Sequence, residues 1–309
     1  MKRVFIVNKG SASGNGRLTW EKIEDYLKKE SINYEVYFTQ GKDDATRLAE
    51  MVTSKGEMIN LYVCGGDGTL NEALNGIKDF DKTFYTPIPA GSANDFIKGI
   101  GLDGTGVEIV KRTLSKNDFR LFDIGKVVFE GGDRLFGVSS GIGVDAYVCL
   151  QALTSKLKVF LNKIGLGQAT YGLLTVGDIF TMPFSDARLT ITRGDQVVEK
   201  DVKNTIFAAA MNCSIEGGGI PMSPDATADS GHLSLFHAHD ISRLRCLFTL
   251  PAIVAGKHIG KPGVDLDDFD KATVVFKDKM CLHADGEHLG FYKEISFECL
   301  PRKLKIKGF

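Results

Sequence analysis

The sequence predicts an α/β protein of two domains: an N-terminal doubly wound, mainly parallel sheet and a C-terminal, largely antiparallel β-sandwich. Three observations lead to this prediction. The chain has 309 residues, a length typical of roughly two domains. Strand and helix patterns alternate through its first third, as they do in parallel sheets with helices on both faces. After about Asp123, short strands joined by Gly, Asp and Asn turns take over.

In the first domain, strands and helices are expected in strict alternation. Apolar runs of strand length occur at 4–8, 33–39, 58–64 and 86–89. Helical patterns follow at 17–30, at 43–55, after the loop at 65–72, and at 93–99. The apolar stripe of the first helix is formed by Leu18, Ile23, Tyr26 and Leu27. Open parallel sheets bind ligands beyond the carboxyl ends of their strands, so we expect the functional site there.

The second domain is predicted from a different pattern. Its strands are expected at 122–129, 134–140, 187–194, 204–212, 232–238, 272–278 and 294–300. Apolar and polar residues alternate at 187–194 and 294–300, which is typical of antiparallel strands with one face in the core. Helical patterns interrupt the strands at 156–179 and 242–255. The domains are therefore placed at 1–130 and 131–299, with a return of 300–309 to the first domain left open.

The composition indicates an ordinary soluble protein, with 43% apolar and 25% charged residues. A net charge of -1 gives no basic character that would favour nucleic acid as a partner. The 6 cysteines contain no CxxC pair and fit reduced thiols in the cytoplasm. The start, MKRVFIVNKGS, is interpreted as a first strand rather than a signal peptide, because its apolar stretch is short and no cleavage site follows. No apolar run is long enough to span a bilayer.

The stretch VCGGDGTLNEALNG at 63–76 carries the first functional signal. Gly65 and Gly66 leave a predicted strand where a ligand would approach closely. Thr69 and Glu72 fit a capping box, which predicts that the next helix starts at Thr69. A glycine loop before a helix N-terminus favours phosphate, and the Asp67 carboxylate then needs Mg²⁺ or a substrate hydroxyl beside it. The alternative is an ordinary turn between a strand and a helix. The sequence has no Walker A motif and no protein-kinase motif.

Further motifs follow in order along the chain. They are IPAGSANDFIKGIGL at 88–102, FDIG at 122–125, SSGIGVDA at 139–146, GGGIPMSPDA at 217–226 and HADGE at 283–287. Together with GGDGTLNE at 65–72, this series resembles the diacylglycerol kinase catalytic family, lipid kinases that share their nucleotide-domain fold with NAD kinases. The matches extend over nearly the whole chain. GGDGT alone is shared with NAD kinases, whereas its combination with a later ND and DGE is strongly specific.

The resemblance implies an ATP site at the strand ends of the first domain. Its matching positions are Asn8, Lys9, Gly10, Ser11, Ala12, Thr39, Gly65, Gly66, Asp67, Gly68, Thr69, Leu70, Asn71, Glu72, Ser92 and Asn94. It also implies a Mg²⁺ network on Asp67, Asp95 and Asp123. By the same resemblance, the DGE element is expected to supply the catalytic acids, with Glu287 favoured as the base and Asp285 in support. Asp67 stays open as an alternative base.

Three positions depart from the family pattern. Lys9 replaces the usual proline in a longer loop, and Ser92 replaces a threonine while keeping its hydroxyl. The resemblance also implies a second, structural metal held at Thr227, Ser230 and His232. At that site Thr227 and His232 would contribute backbone carbonyls, and Ser230 stands where the family has an aspartate ligand. The neighbouring Asp229 is the alternative carboxylate, and the second metal is in question.

Three other patterns in the sequence allow a functional interpretation. GVSSG at 137–141 matches the nucleophile elbow of hydrolases around Ser139, but it lies in the antiparallel half and no clear helix start follows it. His237 and His239 share one strand face, yet no third metal ligand is spaced nearby in the sequence. The apolar segment at 153–182 is either a core helix or a lining of a lipid cleft.

Taken together, the residues and the resemblance lead to an ATP-dependent lipid kinase that transfers the γ-phosphoryl group to a lipid hydroxyl. Diacylglycerol is the leading substrate, and other lipid alcohols stay open. The alternatives are an NAD kinase-like enzyme and a non-catalytic regulator that binds nucleotide and lipid. The expected location is the cytoplasm with transient contact to a membrane surface. A homodimer stays open.

Overall fold

The structure is a computed structural model that describes residues 1–154 and 176–309. The chain forms two compact units. Unit 1 contains Met1–Ile124 and Pro301–Phe309, and unit 2 contains Gly125–Leu300. The sequence placed the corresponding boundaries at 130 and 300. The final residues therefore belong to the first unit, a point that the sequence leaves open.

Unit 1 alternates strands and helices as predicted. Its strands are β1 (Lys2–Val7), β2 (Glu35–Phe38), β3 (Ile59–Gly65) and β4 (Thr83–Pro89). Its helices are α1 (Ser11–Lys29), α2 (Asp44–Thr53), α3 (Asp67–Gly76), α4 (Asp95–Gly99) and α5 (Gly106–Ser115). The strands pair in the order β4–β3–β1–β2, all in parallel. The parallel sheet predicted for this half is confirmed.

The core of unit 1 forms where α1 packs on the sheet. Trp20, Ile23 and Leu27 are buried, and the rings of Phe5 and Tyr62 beneath them stack at 4.3 Å. The predicted stripe was wrong at one position, because Leu18 is 53% exposed. The buried residues of α1 are separated by three and then four positions, which is the spacing of one helix face. Trp20 therefore takes the place on the core face that was predicted for Leu18.

Unit 2 is the antiparallel half. Its strands are β5 (Arg120–Phe129), which starts in unit 1, β6 (Gly132–Phe136), β7 (Ser139–Gly143), β8 (Ser185–Arg193), β9 (Gln196–Thr205), β10 (Phe207–Met211), β11 (Leu233–Ala238), β12 (Val264–Phe269), β13 (Lys271–Ala284) and β14 (Glu287–Ile306). The last residues of β14 belong to unit 1, where Lys305 and Ile306 pair in parallel with β4. Among the described residues, the helices α6 (Val144–Thr154) and α7 (Arg243–Val254) lie between the strands, and residues 176–181 are also helical. Strands β9 and β12 were not predicted, because charged residues interrupt their apolar pattern.

The sheet of unit 2 has a hydrophobic cluster on each face. Along β10, Phe207, Ala209 and Met211 join one cluster. The two residues between them, Ala208 and Ala210, join the other. This alternation is the period of two expected for a strand. Because both faces are covered, β10 is an unbroken apolar run, as in a sandwich core.

The glycine of the FDIG motif has a packing role in this sheet. Gly125 lies directly opposite Phe136 on the neighbouring strand β6. A Cβ atom at Gly125 would lie 2.0 Å from the Phe136 ring, which covers the position where a side chain would stand. An aromatic ring packed over a strand glycine is a recurrent way to fill that space.

Two predictions concern the segment between α6 and β8. The helix predicted at 156–179 lies largely outside the described residues, and residues 176–181 are helical. The lipid-cleft hypothesis for 153–182 likewise falls mostly outside them. Within the described ranges, no helix is long and apolar enough to cross a membrane.

Candidate functional site

The carboxyl ends of the parallel strands in unit 1 lie at one edge of the sheet. Asn8 follows β1 and donates its backbone N–H to the Cys64 carbonyl at 2.9 Å. Ala90 follows β4 and donates to the Gly65 carbonyl at 3.1 Å. Thr39 follows β2, the strand next to β1. The predicted nucleotide-binding positions after all four strands are therefore neighbours.

Asn8 ties the loop after β1 to the GGDGT loop. Its side-chain amide donates to the Thr69 hydroxyl at 2.9 Å, while its Oδ1 accepts the Gly10 N–H at 3.1 Å. The Ser11 hydroxyl contacts two backbone carbonyls, those of Asn8 at 3.0 Å and Ala90 at 3.1 Å. These bonds hold three strand-end loops in one arrangement.

The glycines of two separate motifs meet at this edge. A Cβ atom at Gly91 would lie 2.5 Å from the Cα of Gly66. A Cβ atom at Gly65 would lie 2.5 Å from the Cβ of Thr69. The backbones of the GGDGT and AGSAND loops therefore touch each other, and any larger residue would separate them.

Asp67 links the same two loops through its carboxylate. Its Oδ1 accepts the backbone N–H of Phe96 at 3.2 Å, at the start of α4. Asp95 is the first residue of that helix and is 6% exposed. The preceding Asn94 adopts a positive φ of 54° and exchanges hydrogen bonds with Gly91 at 2.9 and 3.1 Å. The structure thus brings two of the three predicted Mg²⁺ ligands to neighbouring positions.

The third predicted ligand, Asp123, lies on β5 and is fully buried. Its Oδ1 accepts the backbone N–H of Arg302 at 2.7 Å, so this carboxylate anchors the segment that returns to unit 1. The three acids offer the oxygen donors that Mg²⁺ prefers. Burial of Asp95 and Asp123 also fits a cation, because buried carboxylates require compensation of their charge. The donor chemistry therefore suits Mg²⁺, but among the described residues the carboxylate oxygens of these three acids do not all lie within 4.8 Å of one another. The Mg²⁺ site on Asp67, Asp95 and Asp123 stays a prediction.

The long loop after β1 contains strained backbone. Ala12 and Ser13 adopt φ values of 44° and 56° within the span of α1. Left-handed conformations disfavour residues with a Cβ atom, and such strain is often found at ligand sites. The Lys9 ammonium group lies 3.5 Å from the centre of the Phe38 ring. Lys9, which replaces the usual proline, is thus held at the end of β2.

The capping box predicted at Thr69 and Glu72 is wrong. Helix α3 begins at Asp67, two residues before the predicted start, and no side chain caps it. The Thr69 hydroxyl instead accepts a hydrogen bond from the side-chain amide of Asn8. The Glu72 carboxylate instead accepts the N–H of Ala45 on α2 at 3.3 Å. The same Thr-x-x-Glu spacing forms a true capping box at Thr105 and Glu108, which starts α5.

The other predicted nucleotide residues differ in accessibility. The Leu70 side chain is buried, and its carbonyl accepts the Tyr85 hydroxyl at 2.9 Å. Asn71 is also buried, whereas Ser92 is exposed. Leu70 and Asn71 therefore pack α3 against the sheet, and their assignment to the nucleotide stays a prediction.

In unit 2, Asp285 organises the turn that precedes β7. Its carboxylate accepts three backbone N–H groups, from Gly137 at 2.8 Å, Val138 at 2.8 Å and Ser139 at 3.1 Å. Both carboxylate oxygens are thus engaged with the backbone. Glu287 faces Ala284 across the β13–β14 hairpin. The catalytic roles of Asp285 and Glu287 stay predictions, with Asp285 clearly also a structural anchor.

Ser139 has none of the features of a nucleophile elbow. It is fully buried and begins β7, which pairs in the antiparallel direction with β10 and β13. An elbow serine stands exposed after a strand of a parallel sheet. The residues that follow give no clear helix start in the sequence, but α6 does begin at Val144. The hydrolase alternative is therefore unsupported on geometry.

A cluster that sequence analysis did not identify lies beside the DGE turn. The His283 Nε2 atom is 3.2 Å from Asp145 Oδ2 and 3.6 Å from Glu216 Oε1. A Cβ atom at Gly141 would lie 1.8 Å from Asp145 Oδ2, so only glycine leaves room for this contact. Each residue lies in or next to a family motif. Only the tertiary fold shows that the three motifs meet.

Asp145 and Glu216 also line a pocket in unit 2 with a volume of about 210 Å³. The other lining residues are nearly all apolar and include Val148, Ile179, Phe207, Met222, Phe236 and Leu250. The pocket lies between α6, α7 and the sheet face formed by β10 and β11. An apolar pocket with a few polar groups is typical of a site for an organic ligand.

The loop predicted to hold a second metal is closed by its own serine. The Ser230 N–H donates to the Thr227 carbonyl at 3.2 Å. The Ser230 hydroxyl donates to the His232 carbonyl at 3.0 Å. The two carbonyls proposed as metal ligands therefore already have donors. The second metal site stays a prediction without a carboxylate ligand at position 230.

The histidine pair on β11 has an acidic neighbour after all. Asp265 on β12 lies 4.0 Å from His237 Nε2 and 3.1 Å from His239 Nε2. The fold thus brings a third possible ligand to the pair, from a strand that is distant in the sequence. Asp267 contacts His237 at 2.9 Å and the Lys200 ammonium group at 2.7 Å. The hydrogen bond from His237 is the main reason that the pKa of Asp267 falls to about 2, and Lys200 supplies the compensating cation.

Comparison with protein families covers both halves of the chain. Residues 138–308 match the "YegS C-terminal NAD kinase beta sandwich-like domain". The fold is thus of the NAD kinase-like class, with a β-sandwich in the second half. Residues 2–127 match the "Diacylglycerol kinase catalytic domain". The chain belongs to the diacylglycerol kinase catalytic-domain family.

Individual relatives agree with this assignment. The chain is 29% identical over 312 aligned residues to "Putative lipid kinase YtlR" of Bacillus subtilis, covering 98% of each chain. It is 25% identical to the "Diacylglycerol kinase" of the same organism, covering 94% of this chain and 91% of the relative. A crystal structure of a diacylglycerol kinase from Bacillus anthracis has a TM-score of 0.70 at 20% identity, covering 100% and 97% of the two chains. That likeness shows the fold.

Proposed function

We propose that this protein is an ATP-dependent lipid kinase that transfers the γ-phosphoryl group of ATP to a lipid hydroxyl, with diacylglycerol as the leading acceptor. One observation carries the proposal. A diacylglycerol kinase catalytic domain and an apolar pocket lined by two carboxylates occur in the same chain. An NAD kinase-like enzyme, the alternative considered from the sequence, would have no use for such a pocket, because its acceptor is a polar dinucleotide.

The residues of unit 1 have distinct roles in this proposal. The glycine loops at Gly65, Gly66 and Gly91 bring backbone N–H groups close to the phosphates of ATP. Asp67 and Asp95 would hold Mg²⁺, which would offset the charge on the transferred group. Asn8 fixes the loop after β1 against the GGDGT loop and so holds the arrangement before the nucleotide binds.

The activity is tested with the full chain, labelled ATP and mixed micelles that contain one lipid alcohol at a time. We expect Mg²⁺-dependent transfer of label to diacylglycerol and none to NAD. Removal of Mg²⁺ with a chelator is expected to abolish the transfer. Phosphorylation of NAD alone would replace the proposal with the dinucleotide kinase. ATP binding without turnover on any lipid would favour a regulatory protein.

Transient membrane contact is part of the proposal, and α7 is the element that supports it. One face of α7 contributes Cys246, Thr249 and Leu250 to the pocket. On its other face, Leu244 is 63% and Phe248 is 79% exposed. Large exposed apolar side chains on the wall of a lipid pocket favour contact with a bilayer surface. A kinase in the cytoplasm would meet its lipid substrate through this helix.

Replacing both exposed side chains tests this contact. Leu244→Ser with Phe248→Ser is expected to weaken binding to phosphatidylcholine–phosphatidylglycerol vesicles by about tenfold or more, since each apolar side chain contributes roughly 1.5–3 kcal/mol when buried. Sedimentation with the vesicles measures the effect. The matched control is Val197→Ser with Val198→Ser, which removes exposed apolar side chains from β9. Equal loss in both double variants would contradict the role of α7.

A further inference from the structure

A cluster of possible metal ligands on the sheet of unit 2 has no part in the proposed kinase reaction. His237 and His239 lie two positions apart on β11 and its end, and Asp265 lies opposite His237 on the neighbouring strand β12. Within the described ranges, these three side chains form the group of His, Cys, Asp or Glu residues whose ligand atoms all lie within 4.8 Å of one another. Residues two apart share a strand face, so the register of this strand pair brings the ligands together.

The imidazole of His239 lies between two carboxylates. Its Nδ1 atom is 2.9 Å from Asp240 Oδ2, and its Nε2 atom is 3.1 Å from Asp265 Oδ2. A neutral imidazole carries one proton, so it can donate to only one of these two oxygens. At the other nitrogen a lone pair would face a carboxylate oxygen, and a cation between the two atoms removes this repulsion. A carboxylate on Nδ1 is also the usual way in which proteins orient a histidine whose Nε2 binds a metal.

The surroundings of the two imidazoles hold them in this arrangement. The Asp240 N–H donates to the Lys203 carbonyl of β9 at 2.7 Å, which fixes the residue beside His239. The rings of His237 and His239 stack at 5.0 Å with an angle of 21° between their planes. His237 is fully buried, whereas the Asp265 side chain is 44% exposed. The ligands are therefore fixed on one side and open to an ion from solvent on the other.

We propose that His237, His239 and Asp265 bind one Zn²⁺ ion, with Asp240 orienting His239. Two imidazole nitrogens and a carboxylate oxygen are a ligand set for Zn²⁺, and water takes the fourth position. Mg²⁺ prefers oxygen ligands alone. In a tetrahedral site with bonds of about 2.0–2.1 Å, the ligand atoms lie roughly 3.3 Å apart. Asp265 Oδ2 is 3.1 Å from His239 Nε2 and 4.0 Å from His237 Nε2, so small side-chain rotations close the site.

A lysine next to the site leaves room for this ion. The Lys200 ammonium group lies 2.7 Å from Asp267 and 3.9 Å from Asp265, so Asp267 is its main partner. His237 Nε2 donates to the same Asp267 carboxylate at 2.9 Å. When this nitrogen binds the ion its proton leaves, as metal binding to histidine requires. Asp267 then keeps Lys200 as its partner, and neither charge is left uncompensated.

The ion would join β11 to β12 behind one wall of the apolar pocket. Phe236 and Ala238, on either side of His237, line the pocket, and so does Val264 beside Asp265. Successive residues of a strand point to opposite faces, so ligands and pocket lining alternate along both strands. The role of the ion is therefore to stabilise this wall. The inference is independent of the proposed kinase function, because the site contains no catalytic candidate.

Calorimetric titration of the full chain with Zn²⁺ tests the site, in excess Mg²⁺ and with a reducing agent that contains no thiol. We expect one Zn²⁺ ion per chain. Asp265→Asn keeps the shape of the side chain but removes a charged ligand, and it should weaken binding by about tenfold or more. The matched control is Asp268→Asn, which changes a carboxylate of the same strand on its opposite face. This control should bind Zn²⁺ as the wild-type chain does.

Thermal unfolding provides a second readout and checks that the variant folds. With EDTA, the wild-type chain and Asp265→Asn should unfold at similar midpoints. Zn²⁺ at a hundredfold excess over its Kd should raise the wild-type midpoint by about 5 °C or more, and that of Asp265→Asn by much less. Absence of Zn²⁺ binding by the wild-type chain would overturn the inference and leave a proton as the cation beside His239. Equal affinity in Asp265→Asn and Asp268→Asn would also overturn it, whether or not the chain phosphorylates a lipid.

Discussion

Asp67→Asn is expected to lower kcat for lipid phosphorylation by about 10²–10³-fold and to leave the thermal unfolding midpoint nearly unchanged. Asparagine keeps an oxygen that accepts the Phe96 N–H, so the contact between the two loops survives. It lacks the negative charge that Mg²⁺ requires beside the phosphates. Steady-state kinetics over a range of Mg²⁺ concentrations, together with thermal denaturation, measure the two effects separately.

The matched control for this substitution is Asp25→Asn, which removes an exposed carboxylate from α1. It should behave as the wild-type chain in both assays. Near-normal turnover of Asp67→Asn would refute a role in holding Mg²⁺. A large fall in the unfolding midpoint would instead make Asp67 chiefly a link between the GGDGT loop and α4.

Asp285→Ala is expected to destabilise unit 2 by about 3 kcal/mol or more, as measured by urea unfolding. The substitution removes the acceptor of three backbone N–H groups, those of Gly137, Val138 and Ser139. Position 285 also has a φ of 46°, a conformation that alanine adopts less readily than aspartate. The lost hydrogen bonds and the less favourable backbone conformation therefore both lower the free energy of unfolding.

Asp133→Ala is the control, because Asp133 is an exposed residue of β6 in the same unit. It is expected to change the unfolding free energy by no more than about 0.5 kcal/mol. If Asp285→Ala unfolds like this control but has lost its turnover, Asp285 has the catalytic role that the family resemblance implies. Loss of both stability and turnover would support the structural role.

Local patterns predicted most secondary structure because helices and strands follow the periodicity of neighbouring residues. The apolar run at 58–64 became β3, which is buried along its whole length. Local patterns gave a wrong prediction where a residue distant in the sequence forms the hydrogen bond. Thr69-x-x-Glu72 and Thr105-x-x-Glu108 have equal spacing, but only the second pair caps a helix. At the first pair, Asn8 and Ala45 take the hydrogen bonds that a capping box would use.

By itself, the sequence determined the alternation of strands and helices, the antiparallel second half, and the position of the glycine loops at strand ends. It did so because these features depend on residue type and spacing along the chain. The tertiary structure alone decided that Gly66 meets Gly91 and that His283 lies between Asp145 and Glu216. Those contacts join residues far apart in the sequence, and their energies depend on burial and distance, which residue spacing does not encode.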